Sequence, residues 1–186
     1  KQIKELSQDR EFLVSERTRL KNQLHTLLHR IWNSEYRAKY KDPFSKKALA
    51  FWSKHIPKGS DEFVVRSMKR KVNRLIDIRE EVVELEDELA TLLAESGSTL
   101  PTASGLGTVV SAEIVGEVGD ITRFHSPAAL AKYAGCSPRE CSSGKTSRHR
   151  KSRSGNRRLN RAFHRMALAQ ISKSGNDKAR VYFKKK

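Results

Sequence analysis

The sequence has least acid where it has most base. Between Cys136 and Lys186 only Glu140 and Asp177 are acidic, against 16 lysines and arginines, so this segment carries +14 of the chain's net +17. A positive field gathered at one end of 186 residues calls for a polyanion, nucleic acid first. A solubilising tail fits poorly, because apolar residues continue at helical spacing between the arginines. Cysteine is scarce too. Cys136 and Cys141 stand five apart without the C-x-x-C spacing of a zinc site, and they read as buried thiols in a reduced cytoplasm. No apolar run approaches membrane-spanning length and no signal-peptide pattern is visible, so no membrane partner is expected. Two catalytic signatures are also missing. Gly144-Lys145-Thr146 ends like a P-loop, but the motif's first glycine would fall on Arg139 and no β-branched strand precedes it, which excludes ATP or GTP binding there. There is no G-x-S-x-G elbow, and no His and Asp are placed to suggest a hydrolase triad.

What is present is mostly helical pattern. Leu6, Leu13, Leu20 and Leu27 recur every seven residues, with Ile3, Leu24 and Ile31 at companion positions and Arg10 and Arg17 interrupting the seam. A second long helix is expected from about Asp61 to Glu95. In it Val65, Met68, Val72, Leu75, Val82 and Leu89 keep one register, and Ile78, Leu85 and Leu92 mark a shift of phase. Between them Asp42 and Pro43 suggest the start of a short helix that Pro57 and Gly59 end. Two long amphipathic helices joined this way make an antiparallel hairpin, either a plain bundle core or a dimerising coiled coil. The first residues, KQIKELSQDREFL, read as helix interior, so position 1 looks like a cut through a longer protein.

The stretch SGSTLPTASGLGT breaks the pattern and sets the expected domain boundary: residues 1–96 as the oligomerising hairpin, 97–186 as a second domain. A helix is expected over about Thr108 to Val118, a turn at Gly119-Asp120, and a short helix from Ser126-Pro127 to Tyr133 stopped by Gly135. The basic stretch after Cys136 lacks helical periodicity and reads as a loop or small hairpin. From Gly155 a helix returns, its exposed side expected to carry Arg157, Arg158, Arg161 and Arg165. A last short helix starts at Asn176 or Asp177. GLGTVVSAEIV has the look of a helix-hairpin-helix turn and second helix. Gly105 and Gly107 would then either let backbone amides approach a phosphate or simply make the turn. Serines among Arg139, Lys145, Arg148, Arg150 and Arg153 suit attack on a phosphodiester, because guanidinium forks can hold the charge of a pentavalent phosphate. Serines in basic loops also commonly just hydrogen-bond to phosphate.

The order of these features resembles the C-terminal transposase domain of the bridge-RNA-guided insertion-sequence recombinases, the IS-one-ten family. The matching features are Gly105 and Gly107, Arg123-Phe124, Tyr133 and Gly135, Pro138, Ser143-Gly144, then Gly155-Asn156 opening a helix with Arg157, Arg158 and Leu159. They span about residues 100 to 172. DREFLVSERTRLKNQL is similar to the coiled-coil segment that precedes this domain in the family. The resemblance implies a DNA recombinase whose serine attacks the DNA backbone. That serine carries over to Ser143, with neighbouring Ser142 as the alternative. Arg139, Lys145, Arg148, Arg150, Lys151 and Arg153, with Asn156, Arg157, Arg158 and Arg161, would hold DNA phosphates. It further implies donor and target DNA, a structured guide RNA and a dimeric or tetrameric homo-oligomer as partners, in a bacterial or archaeal nucleoid-associated setting. The family's RuvC-like domain, with its four acids and Mg²⁺, has no counterpart in this sequence, so no cofactor is expected in this chain.

The fold class expected is therefore mainly α: a long helical hairpin followed by a small helix-hairpin-helix-like domain with a basic loop. The rival reading is a non-catalytic helix-hairpin-helix nucleic-acid-binding module on a coiled-coil dimeriser. A purely structural scaffold would leave the +14 segment without a purpose.

Overall fold

The computed structural model describes residues 1–144, 146–150, 154–172 and 175–185. The described residues are mainly helical, with one two-stranded sheet, and they form two compact units. Residues 9–85 make one unit; residues 1–8 and 86–186 make the other, which therefore includes the glycine-rich stretch. Helix α1 (Gln2–Trp32) and helix α4 (Glu62–Glu95) each contribute to both.

Within residues 9–85 the two long helices pair antiparallel. Leu13 clusters with Ile78 and Val82, while Leu24 and Leu28 cluster with Met68, Val72 and Leu75. The heptad seam predicts burial of Leu20 and Leu27. The structure instead leaves both half-buried and sinks Leu24 and Leu28 completely. The reason is a third layer. After Asn33 ends α1 in a left-handed conformation, a short helix α2 (Glu35–Lys39) and helix α3 (Lys46–Lys54) bring Tyr36, Phe44, Leu49 and Trp52 into the same core. A narrow coiled-coil stripe then widens into the broader apolar face of a bundle helix. Asp42 does not begin α3 as the pattern suggests. Its carboxylate accepts from Phe44 N at 2.9 Å to make a turn, and Ser45 is the cap, its hydroxyl accepting from Ala48 N.

The aromatic head has its polar handles satisfied, as burial requires. Trp52 Nε1 donates to Pro43 O at 2.8 Å, and the Tyr36 hydroxyl lies 3.0 Å from both His25 Nδ1 and Arg37 Nε. Lower down, Arg74 of α4 donates to Glu16 of α1 at 3.0 Å and to Glu81 at 2.7 Å.

In the other unit, helix α5 (Thr108–Val118) is buried on two sides, which is why its sequence is apolar nearly all round. On one side Ala112 and Val115 meet Ile3 and Leu6 of α1 and Leu89 and Leu93 of α4. On the other, Ile114 and Val118 pack with Ala134, Leu159 and Ala162. The remaining elements follow in order: helix α6 (Pro127–Tyr133), strands β1 (Arg139–Ser143) and β2 (Thr146–Arg150), helix α7 (Arg157–Ile171) and helix α8 (Asp177–Lys184). Ser126 caps α6 by accepting from Ala129 N, as its position before Pro127 leads one to expect.

A glycine in mid-helix normally weakens the helix, yet α5 has one at Gly116. A Cβ there would lie 2.9 Å from the Cα of Lys4, so the backbones of α1 and α5 are in contact at this point. Gly116→Val is accordingly expected to destabilise the protein by about 1–3 kcal/mol, the usual cost of overpacking. The measurement is the midpoint of urea unfolding. An unchanged or raised midpoint, which helix propensity alone would give, would show that α1 and α5 do not touch.

Candidate active site

The site is built from a buried acid outward. Glu113 and Glu117 lie four apart on α5 and are both buried, facing α7. Arg165 of α7 pairs with Glu113, and Arg158 Nη1 lies 3.8 Å from Glu117. Lys4 Nζ reaches the same carboxylate at 3.2 Å, and Asn156 Nδ2 donates to it at 2.6 Å. Burial alone would raise the pKa of Glu117. The hydrogen bonds from Asn156 and Lys4, with the charges of Lys4 and Arg158, outweigh it, and the carboxyl titrates below its ordinary 4.5. Asn156 serves both sides of this junction. Its Oδ1 caps α7 by accepting from the backbone of Arg158 and Leu159, and its amide also reaches the Tyr133 hydroxyl at 3.3 Å. That bond, followed by one from Arg123, holds Tyr133 below its usual phenol range. The Arg123 guanidinium lies 4.6 Å from the centroids of both Phe124 and Tyr133.

Immediately beside this network two glycines staple the chain. Gly135 and Gly155 both have positive φ, at 68° and 99°, and a Cβ on Gly155 would lie 2.7 Å from Gly135 N. Asn156 N donates to Tyr133 O at 2.8 Å across the same contact. The intervening segment is thereby closed at its base, and from it rise β1 and β2. The basic loop of the sequence reading is thus a hairpin. Its register pairs Arg139 with Arg150, Glu140 with His149, Cys141 with Arg148, Ser142 with Ser147 and Ser143 with Thr146. Gly144, at φ 57°, supplies the left-handed residue that a two-residue hairpin turn needs.

Side chains alternate across a strand, so this register sorts the hairpin into two faces. Ser143 and Cys141 share one face with Arg139, Thr146, Arg148 and Arg150. Ser142 lies on the other with Glu140, Ser147 and His149. Cys141, Ser142, Ser143, Thr146, Arg148 and Arg150 line a shallow cavity of about 300 Å³. Placing Arg139 directly opposite Arg150 is unfavourable by itself, since like charges across a ladder repel. No described carboxylate forms an ion pair with Arg139, Arg148 or Arg150. A bound anion would relieve that repulsion, and the Ser143 hydroxyl stands on the same face.

The other predicted residues fall in several places. Arg157 and Arg161 are exposed on α7 as the pattern suggests. Arg158 and Arg165 are not: both are half-buried against the acids of α5, because an arginine is long enough to reach inward when a carboxylate waits there. Gly105 has φ 77°, and a Cβ on it would lie 3.1 Å from Ala169 O, so the turn is packed against the end of α7. Gly107 caps α5 with open space beside it. Lys145, Lys151 and Arg153 lie outside the described residues. The two cysteines are not buried as expected: Cys136 is exposed and Cys141 half-buried, because the strand that carries Cys141 has no core against it. Glu113, Glu117 and Lys4 escaped the sequence reading. The available signal was two acids four apart on an otherwise apolar helix. Among the described residues no three His, Cys, Asp or Glu side chains converge as a metal site. No helix among them is long and apolar enough to cross a membrane.

Residues 97–183, which contain the stapled hairpin, α5, α6, α7 and most of α8, match a family model for transposases. This segment is thus similar to transposase domains. The model is that of the Transposase IS116/IS110/IS902 family, and it covers a little under half of the chain. No curated protein matches the chain.

The Glu117 network gives a pH prediction with a definite sign. A carboxyl whose folded pKa is depressed contributes stability that is fully present above its ordinary 4.5 and is lost as the pH falls through the folded value. Wild-type unfolding midpoints should therefore drop on acidification below about 4.5. Glu117→Gln should start from a lower midpoint at neutral pH and drop less steeply. Parallel curves for the two proteins would remove Glu117 as the cause.

Proposed function

We propose that this chain is part of a DNA transposase and that Ser143 is its nucleophile, attacking a DNA phosphodiester during strand cleavage and exchange. The observation that carries the reading is the strand register: it puts Ser143, and not Ser142, on the face bearing Arg139, Arg148 and Arg150. In the step, the Oγ–P bond forms as the bond from phosphorus to one deoxyribose oxygen breaks. The proton lost from Oγ is matched by one gained by the departing oxygen. The phosphoserine linkage conserves the bond energy for rejoining, when a DNA hydroxyl reverses the reaction. Arg148 and Arg150 supply charge-assisted hydrogen bonds to the equatorial oxygens, where negative charge builds in the transition state. Arg157 and Arg161 on α7 extend the cationic track along the strand.

The reading extends to partners through the family. A structured guide RNA selects the DNA, and the α1–α4 hairpin joins copies of the chain into an oligomer in which recombination sites are assembled. Mg²⁺ chemistry belongs to a RuvC-like domain outside these residues.

The test is a denaturing gel for covalent protein–DNA adducts formed by the longer parent protein that carries the RuvC-like domain, with guide RNA, Mg²⁺ and labelled donor and target DNA. Ser143→Ala should abolish the adduct and Ser142→Ala should keep it. Loss in Ser142→Ala alone would move the nucleophile by one residue. With salt-sensitive DNA binding intact, absence of any adduct from the unmodified protein would instead favour the non-catalytic binding module.

A further inference from the structure

A second cavity lies beside the hairpin. It is an open groove of about 570 Å³ between the chain at Cys136 to Pro138, strand β2 and helix α7. Its cations are Arg150 and Arg157, its rings His149, His164 and Phe163, and no carboxylate lines it. Phe163 is half-buried, anchored in the core beside Leu159 and Ala162, so it presents a fixed rather than a swinging surface. The wall is held as well: the Asn160 amide donates to Ala134 O at 3.0 Å and to Cys136 Sγ at 3.4 Å. Arg150 lines both this groove and the cavity at Ser143, so one guanidinium is common to the two.

Cations beside recessed aromatic surface, with no acid, are the chemistry that receives a nucleotide: phosphate on guanidinium, base on ring. The volume is in the range of small-ligand sites. A base inside a duplex has both its faces covered by its neighbours and cannot reach a ring set into a recess; an unpaired one can. We propose that this groove is a subsite for a single unpaired nucleotide of the strand held at Ser143. Its base lies against Phe163 and His164, and its phosphate lies on Arg150 and Arg157. The proposal rests on the reading of the hairpin as the DNA-cutting element, and it adds that the DNA there is single-stranded over at least one nucleotide.

The test uses the whole 186-residue chain and a short DNA strand carrying 2-aminopurine, alone and annealed to its complement. Anisotropy gives affinity, and 2-aminopurine emission reports the stacking of that base. The single strand should bind at least about fivefold more tightly than the duplex, with emission altered on binding, given the usual worth of one base–aromatic stack. Phe163→Leu, which keeps core volume, and the surface substitution His164→Ala should each weaken the single strand by at least about fivefold and leave the duplex nearly unchanged. Equal affinity for the two forms, unaltered emission, equal weakening of both, or no binding to either would overturn the subsite. The groove is read from non-covalent binding and the nucleophile from the covalent adduct. Failure of the groove and failure of the nucleophile assignment are therefore read from different experiments.

Discussion

A carboxylate with almost no access to water holds the C-terminal unit in place. Glu117 is met by Lys4 from α1, by Arg158 from α7 and by the amide of Asn156, which in turn caps α7 and reaches Tyr133 on α6. Burying a charge is costly unless it is paired, and removing one partner from such a group typically costs about 3–5 kcal/mol. The arrangement is therefore a constraint more than a reservoir of stability: any packing that separates these segments strands a charge. Apolar contact alone would allow α5 and α7 to slide past one another, since their shared core is made of small and aliphatic side chains such as Ala162, Leu159 and Ile114. The polar junction selects one register among them.

The hairpin depends on that junction and contributes little in return. Of its strand residues only Cys141 is even half-buried, so no core holds it in shape. An isolated two-stranded hairpin is marginal in water. Here its base is fixed by the Gly135–Gly155 contact, which follows directly from the placement of Tyr133 and Asn156. Above that base the local preferences conflict, with arginine facing arginine across the ladder. Conflicts of this kind, tolerated against the grain of local stability, are where function is expected to reside.

Much of the architecture was legible in the sequence because helices announce themselves. Ser126 before Pro127, Asn156 after Gly155 and Asn176 before Asp177 all cap the helices that the apolar spacing suggests. What escaped has a common physical origin, since periodicity describes a helix meeting one partner. Leu28 and Leu93 are buried because α1 and α4 each meet a further element, α3 in one unit and α5 in the other, that the seven-residue repeat does not encode. Arg158 and Arg165 looked exposed for the same reason: their carboxylate partners lie on α5, some forty or more positions earlier. The two serines could not be separated by composition. Only the pairing of β1 with β2 puts them on opposite faces, and a strand with no buried face leaves no hydrophobic alternation from which to read its register.

The glycine staple also bears on how such a protein can vary. The 19 residues between Gly135 and Gly155 leave and re-enter the domain at a single point, through main-chain contact that asks nothing of their side chains. Lengthening a loop closed in this way costs little, because closure entropy grows only with the logarithm of its length. The hairpin is in this sense an interchangeable bit in a fixed chuck. Its residues can be rewritten or extended while the helices that grip it stay as they are, and new surface chemistry becomes accessible without redesign of the core.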